Sequence, residues 1–309
     1  MHGSEGKRSL RVSRPSPSFL KMSSGITGVL NRVNGQLLSF VSVLPSSNAT
    51  AAPNVCNNAV VLIPGLTDGM MSMCYTKSLN AALLSIDYSL VQLNLSSSFY
   101  QFGFQDLEQD KSDIQDILNF LKREYKFDKI ILCGHSTGCQ DILYLLRYGE
   151  VSRLIDGVIL QGGVSDRDDI LSTEDGPAMI AEAEKLKSEN KAEYFVTYKH
   201  CDAPITASRL LSLAGRLTKD DMFSVDLTKE ELAPILQPVT VPILIVYSSE
   251  DEYVPDKEGQ RAFADRMVEV LKSTSPSVQL EYIEGADHGL STGGEAFVQL
   301  VTDFIKKQF

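Results

Sequence analysis

The stretch that decides the fold is Lys129-Ile-Ile-Leu-Cys-Gly-His-Ser-Thr-Gly138. Its residues 130–133 form an apolar run typical of a buried strand, and a helix is predicted directly after the stretch, over residues 138–148. The Gly-x-Ser-x-Gly sequence between them is typical of a nucleophile elbow, a strained strand-to-helix turn that lifts a serine hydroxyl clear of the sheet. A plain Gly/Ser turn is the alternative, but the strand before and the helix after favour the elbow. Ser136 is therefore the candidate nucleophile.

Short apolar runs alternate with amphipathic helices on both sides of this elbow. Strands are predicted over 59–63, 90–95, 129–133, 157–161, 242–247 and 277–283, and helices over 106–125, 138–148, 257–271 and 295–309. Upstream, two β-branched runs at 26–33 and 36–44 flank Asn34-Gly35, a strong signal for a tight hairpin. This alternation predicts an α/β fold with a mostly parallel central sheet that helices cover on both faces.

One interval between predicted strands is too long for a simple alternation of strands and helices. Between residue 161, where one predicted strand ends, and residue 242, where the next begins, lie about 80 residues, far more than a single crossover helix requires. The sequence in this interval predicts helices over 177–195 and 204–216. We therefore interpret residues 165–238 as a helical cap over the carboxyl end of the sheet, inside one domain that spans residues 26–309.

A serine needs a general base to act as a nucleophile at neutral pH, and histidine is the usual one. The chain has four histidines. His288 follows the last predicted strand, at the sheet edge where the sites of open α/β folds form, so position and elimination favour it. His2 lies in the polar N-terminal segment, and His135 sits inside the elbow with its ring expected to point away from the hydroxyl. A surface or substrate-lining role is favoured for His200, in the predicted cap.

An acid that orients the base is expected between the serine and the histidine in chain order. The predicted strand over 242–247 leads into an acidic loop, and its Asp251 is the preferred candidate, 37 residues before His288. The remaining alternatives are Glu250 and Glu252 in the same loop, Asp287 beside the histidine, and Asp166 and Asp168 after the preceding strand.

Two backbone donors are needed to stabilise an oxyanion in acyl transfer. The N–H of Thr137, directly after the nucleophile, is one candidate. The loop Pro64-Gly-Leu-Thr-Asp-Gly69 after the first parallel strand supplies the other, and Leu66 is the preferred residue. Asp68 in this loop has two interpretations: it caps a helix that begins near Met70, which we favour, or it binds a cationic substrate group.

Aromatic residues follow the predicted strand over 90–95. Phe99, Tyr100 and Phe102, with Phe104 beyond them, are expected on the same side of the sheet as the nucleophile. They are candidates for lining a substrate pocket, and packing beneath the cap is an equally good interpretation.

The charge of the chain excludes some partners. The formal net charge is −11, and because residues 1–25 carry five basic residues against one acidic residue, the remainder carries −15. Such acidity argues against nucleic-acid binding, and no apolar run approaches the roughly 18 residues that a membrane span needs. The N-terminal segment is rich in serine and predicts a disordered basic tail, although it also fits a transit peptide. We expect a cytoplasmic protein, or an organellar one if the tail is a targeting segment.

The five cysteines do not form a recognisable framework. Their number is odd and none has the C-x-x-C spacing, so neither a disulfide scaffold nor a structural zinc site is predicted. Reduced, packed thiols in an intracellular compartment are the expected state.

With Ser136, Asp251 and His288 in this order on alternating strands, residues 26–309 resemble the α/β-hydrolase superfamily. More narrowly, two segments resemble a fungal and plant hydrolase family that includes siderophore esterases acting on fusarinine-type triesters. These segments are Gly134-His-Ser-Thr-Gly-Cys-Gln-Asp141 and Asp220-Asp-Met-Phe-Ser224.

The resemblance implies a serine esterase that cleaves carboxylic esters through an acyl-serine intermediate, without metal or organic cofactor. It places the oxyanion donors on Leu66 and Thr137 and leaves the substrate open, with a neutral or amine-bearing small-molecule ester favoured by the acidic charge. Two alternatives use the same site: a ligand receptor with slow turnover, and an acyltransferase or lyase. The sequence makes no prediction of the oligomeric state.

Overall fold

A computed structural model describes residues 25–35, 37–44, 54–198 and 203–309. Residues 1–24 of the predicted N-terminal tail lie outside these ranges. His2, His200 and Cys201 also lie outside them. The strands are β1 (Gly28–Asn34), β2 (Leu37–Ser42), β3 (Asn58–Ile63), β4 (Tyr88–Asn94), β5 (Ile130–His135), β6 (Gly157–Gln161), β7 (Phe195–Tyr198), β8 (Ala203–Thr206), β9 (Ile243–Ser248) and β10 (Val278–Ile283).

Helices alternate with most of these strands along the chain. They are α1 (Thr76–Leu84), α2 (Leu107–Glu124), α3 (Thr137–Tyr148), α4 (Asp166–Ser172), α5 (Gly176–Ser188), α6 (Ala207–Ala214), α7 (Lys229–Leu236), α8 (Lys257–Leu271) and α9 (Gly294–Gln308). Short 3₁₀ helices span Phe99–Gly103 and Ser152–Leu154.

Within the described residues, eight strands form one sheet in the order β1-β2-β4-β3-β5-β6-β9-β10. The six strands β4, β3, β5, β6, β9 and β10 pair in parallel in this order. β1 and β2 form the predicted antiparallel hairpin, and β2 runs antiparallel to β4. The predicted α/β-hydrolase fold, a mostly parallel sheet between helices, is confirmed. Since β5 lies at the centre, the turn that follows it stands in the middle of the sheet's carboxyl edge.

Each of the parallel strands contributes to two apolar layers, because successive side chains point to opposite faces. On β5, Ile130 and Leu132 join the core beneath α2, α3, α7 and α8, whereas Ile131 and Cys133 join the core beneath α1 and α9. This burial on both faces explains why the parallel strands read as continuous apolar runs in the sequence.

The stretch between β6 and β9 is less helical than its composition predicts. Helices were expected over 177–195 and 204–216, but α5 ends at Ser188 and α6 begins only at Ala207. Between them β7 and β8 pair as an antiparallel two-stranded sheet. The β-branched and aromatic residues of β7 favour extended backbone, and the Thr206 side chain caps α6 by accepting from the N–H of Arg209.

The elements α4, α5, β7, β8 and α6, hereafter the insert (166–214), have a small apolar core of their own. Ile170, Met179, Ile205 and Leu210 pack together there with Phe102 from the body. The next helix, α7, contacts α3 and α8 and contributes to the main core. None of the helices in the described part of the chain is long and apolar enough to cross a membrane.

Candidate active site

Ser136 lies at a strained turn between β5 and α3. Its backbone has a φ of 53° and a ψ of −124°, which non-glycine residues rarely adopt and which typically costs about 1–3 kcal/mol. Two glycines make the turn possible: a Cβ on Gly134 would lie 2.4 Å from the oxygen of Gly138, and a Cβ on Gly138 would lie 2.4 Å from the oxygen of Ile63. The Ser136 N–H donates to the backbone oxygen of Gln161 at 2.9 Å. The strained turn is therefore hydrogen-bonded to the end of β6 and lies close to the end of β3.

His288 and Asp251 meet in the loops that follow β10 and β9. The Nδ1 atom of His288 lies 2.8 Å from Oδ2 of Asp251, and both side chains are buried. The other carboxylate oxygen of Asp251 accepts from the N–H of Tyr253 at 3.0 Å. The Tyr253 ring packs edge-on against the imidazole with ring centres 4.8 Å apart, which limits rotation of the histidine.

The alternative acids have other partners. Glu252 accepts from the backbone N–H of His288 at 2.9 Å, so it holds the histidine's main chain and not its ring. Glu250 pairs with Lys257 at the surface, and Asp287 accepts from Ser291. Asp168 accepts from the N–H of Val225, and Asp166 accepts from the side chain of Gln140. Of these candidates, Asp251 alone has its carboxylate on the His288 ring.

Ser136 and His288 open into one cavity of about 300 Å³ at the carboxyl edge of the sheet. Such a volume lies at the small end of the range for ligand sites in proteins. The other lining residues are Gly65, Leu66, Thr67, Asp68, Met73, His135, Val164, Asp166, Asp169, Glu252, Tyr253 and Gly289.

The two residues predicted as oxyanion donors lie near Ser136. Thr137 is the first residue of α3 and is buried, and Leu66 lines the cavity in the loop after β3. That loop turns tightly, with the N–H of Asp68 donating to the oxygen of Gly65 at 3.1 Å. A Cβ on Gly65 would lie 3.0 Å from the Cβ of Ser136, so glycine permits the close approach of this backbone to Ser136.

Asp68 does not cap a helix, which corrects the favoured interpretation from the sequence. The helix expected near Met70 begins only at Thr76, and its N-cap residue is Tyr75. Asp68 instead faces the cavity, where burial raises the pKa of its carboxyl above the ordinary value. Residues 69–75 form turns where the sequence predicted the first turn of a helix.

The three aromatic candidates do not line the cavity into which Ser136 opens. After β4, a turn in which the Ser98 hydroxyl accepts from the N–H of Leu95 directs the chain towards the insert. As a result Phe102 is fully buried in the insert's core, while Phe99 and Tyr100 are exposed. None of the three is among the described residues that line the Ser136 cavity.

Gln161 ends β6, contacts both halves of the site and was not predicted to have a role there. Its backbone oxygen accepts from Ser136, and its side-chain Nε2 donates to the backbone oxygen of His288 at 3.1 Å. The Oε1 atom lies 2.5 Å from Nδ1 of His135 and 3.4 Å from the hydroxyl of Tyr75. A polar residue at the carboxyl end of an otherwise apolar strand is the signal that could have identified it.

A second polar cluster lies behind the loop that holds Leu66. Arg209 of α6 is buried, pairs with Asp220 at 2.7 Å and donates to the backbone oxygen of Phe102 at 3.2 Å. Asp110 and Asp141 line a small space beside it, together with Leu66 and Thr137. No cluster of three or more metal-ligating side chains is found within the described ranges.

Comparisons with known proteins agree with this architecture. A family model described as "Protein of unknown function (DUF1749)" matches residues 27–306. An UPF0613 protein of Schizosaccharomyces pombe is 26% identical, with 92% of this chain and 97% of the relative covered. The fusarinine C esterase sidJ of Aspergillus fumigatus is 27% identical, with 75% and 79% covered. The predicted resemblance to a family that includes siderophore esterases is confirmed.

A solved structure shows the same fold. The siderophore hydrolase EstB from Aspergillus fumigatus has a TM-score of 0.76 at 24% sequence identity, with 92% of this chain and 99% of that chain covered. At this identity the likeness concerns the fold alone.

Proposed function

The chain belongs to the DUF1749 family and is a carboxylic ester hydrolase, and we propose that it works through an acyl-serine intermediate on Ser136. The observation that carries the proposal is that Ser136, at its strained turn, opens into the same cavity as a histidine whose Nδ1 lies 2.8 Å from Asp251. A serine that opens into a cavity, an imidazole and a buried carboxylate are the groups that a serine hydrolase requires.

In the proposed reaction, the Ser136 hydroxyl attacks the ester carbonyl and His288 accepts its proton through Nε2. The Asp251 carboxylate accepts a hydrogen bond from Nδ1–H of His288, which fixes the tautomer and stabilises the imidazolium. The N–H groups of Leu66 and Thr137 stabilise the oxyanion. His288 then returns the proton to the leaving alcohol, and a water molecule hydrolyses the acyl-serine by the same steps in reverse order.

The substrate that we propose is a small-molecule ester. The name of the relative sidJ supports a siderophore-type ester, and the cavity of about 300 Å³ limits what fits near Ser136. We further propose that residues 26–309 act as one domain in which the insert (166–214) serves as a cap, because α4 contributes Asp166 and Asp169 to the cavity wall.

The test compares the full chain with its Ser136→Ala variant. A fluorophosphonate probe should label the wild-type protein and not the variant, and p-nitrophenyl acetate turnover should fall by about 10⁴-fold or more. A library of small esters then identifies the substrate class. Absence of labelling, or full turnover by Ser136→Ala, would contradict the proposal. Labelling followed by transfer of the acyl group to an added alcohol, in preference to water, would instead identify an acyltransferase.

A further inference from the structure

The reaction described above gives no role to His135, although its ring lines the cavity. The hydrogen-bond partners of Gln161 decide which nitrogen of this ring carries the hydrogen. The amide Nε2 of Gln161 faces the backbone oxygen of His288, which can only accept, so its Oε1 must face Nδ1 of His135 at 2.5 Å. Because Oε1 can only accept, Nδ1 of His135 donates.

The other ring nitrogen of His135 is therefore an acceptor. Burial, together with the nearby imidazole of His288, lowers the pKa of His135 to about 3, so the ring is neutral at physiological pH. A neutral imidazole with its hydrogen on Nδ1 has a lone pair on Nε2. That Nε2 lies 3.9 Å from Oδ2 of Asp68, beyond hydrogen-bond distance. Two acceptors thus face each other in the cavity wall.

The rest of the wall contains further acidic side chains and no lysine or arginine side chain among the described lining residues. Asp166, Asp169 and Glu252 also line the cavity, and no lysine or arginine of the described chain does. The pKa of the Asp68 carboxyl is raised by burial even though the backbone of Gly65 and the hydroxyl of Ser72 stabilise its charged form. A cation brought by a ligand would supply what this wall lacks.

We propose that the cavity binds a protonated amine of the ester substrate between Nε2 of His135 and the carboxylate of Asp68. One nitrogen can stand about 2.9 Å from both acceptors, since these lie only 3.9 Å apart. An ammonium has three hydrogens and a positive charge, whereas a hydroxyl has one hydrogen and no charge. The inference rests on the proposed function, because it assigns a substrate class to the same cavity.

Three esters of matched size test the inference: p-nitrophenyl 3-aminopropanoate, 3-hydroxypropanoate and butanoate. Each kcat/KM is divided by the uncatalysed hydrolysis rate at the same pH, which removes the intrinsic reactivity of the ester. We expect the wild-type protein to favour the amino ester over butanoate by at least about tenfold, with the hydroxy ester close to butanoate. In Asp68→Asn the amino ester should lose this advantage to within about threefold.

Glu250→Gln is the matched control, since it removes a surface carboxylate that pairs with Lys257 outside the cavity. It should keep the full preference for the amino ester. Equal normalised rates for all three esters in the wild-type protein would overturn the inference while leaving ester hydrolysis intact, whereas hydrolysis by Ser136→Ala would overturn the proposed function itself.

A measurement on the wild-type protein alone covers the case in which Asp68→Asn fails to fold. n-Butylammonium chloride should inhibit p-nitrophenyl acetate hydrolysis competitively, with an inhibition constant at least about tenfold below that of 1-butanol. Equal inhibition by the two compounds would contradict an amine subsite.

Discussion

Asp251 and the aspartates around Arg209 are buried in the same molecule, but they differ in the donors available to them. Asp251 accepts from the His288 ring at 2.8 Å and from the N–H of Tyr253 at 3.0 Å, so each carboxylate oxygen has its own donor. Around Arg209, several carboxylates share one guanidinium, and only Asp220 pairs with it directly. The first arrangement holds a single imidazole in place, whereas the second leaves negative groups in excess.

This excess changes how the second group titrates. Burial, with nearby aspartates adding to it, raises the pKa of Asp110 and of Asp166 to about 7, and it raises the pKa of Asp141 well above the ordinary value. These side chains come from α2, α3 and α4, while Arg209 comes from α6. The cluster therefore ties the insert to the body of the fold. We infer that Asp251 serves the chemistry and that the Arg209 cluster serves assembly.

The largest expected effect comes from Asp251→Asn. An amide in place of the carboxylate favours the wrong imidazole tautomer, so kcat should fall by about 10³–10⁴-fold. The thermal midpoint should change little, because Asn fills the same space and can still accept from Tyr253. Steady-state kinetics with p-nitrophenyl acetate and thermal unfolding measure the two effects, with the exposed Asp265→Asn as control. Retention of more than about a tenth of the activity would contradict the assigned role.

Arg209→Met should produce the opposite pattern. Removing one partner of a buried ion pair typically costs about 3–5 kcal/mol, and here several carboxylates would lose their common cation. Urea unfolding should show the loss of stability, while the fluorophosphonate reactivity of the folded fraction persists. Arg216→Met is the matched control, since Arg216 pairs with Glu231 and Asp226 at the surface, and its urea midpoint should stay near the wild-type value. Equal midpoints for the two variants would remove the structural role of the cluster.

The raised pKa of Asp166 predicts a pH dependence of stability. The folded protein keeps the proton of this carboxyl up to about pH 7, whereas the unfolded chain releases it near pH 4. The stability that Asp166 contributes to the folded state is thus fully present below about pH 4 and is lost as the pH rises towards 7. The lowered pKa of His135 has the opposite effect, since it makes the folded state more stable as the pH rises from about 3 to 6.5. The stability of the wild-type protein as a function of pH therefore combines both effects.

Comparison with Asp166→Asn isolates the carboxyl. Asparagine keeps an oxygen that can accept the hydrogen bond from Gln140, and it cannot ionise. As the pH rises from 4 to 7.5, the free energy of unfolding of the variant should therefore increase relative to that of the wild type by on the order of 2–4 kcal/mol. Urea unfolding at half-unit pH steps gives both curves. A constant difference between them across this range would show that Asp166 titrates normally.

The parts of this molecule that follow local rules were predictable. The strand, Gly-x-Ser-x-Gly turn and helix around Ser136 depend on neighbours in the chain, and the structure has each element within two residues of its predicted bounds. The parts set by distant contacts were not. For Phe102 the sequence left pocket lining and packing beneath the predicted cap equally open, and only the structure shows that its neighbours are residues of the insert, about a hundred positions later. The Arg209 cluster joins several separate segments, and no spacing in the sequence marks it.

The smallest effect on kcat is expected from Glu252→Gln. This variant tests whether Glu252, which contacts the main chain of His288, contributes less to turnover than the adjacent Asp251, which contacts its ring. Glu252 accepts from the backbone N–H of His288, and glutamine can still accept there as a neutral group. We expect kcat for p-nitrophenyl acetate to fall only about threefold to tenfold, because the ring of His288 keeps its bond to Asp251. A loss as large as that of Asp251→Asn would mean that fixing the main chain of the histidine matters as much as fixing its ring. The difference between the two variants therefore measures how much of the catalytic contribution of this loop depends on the one carboxylate that contacts the imidazole.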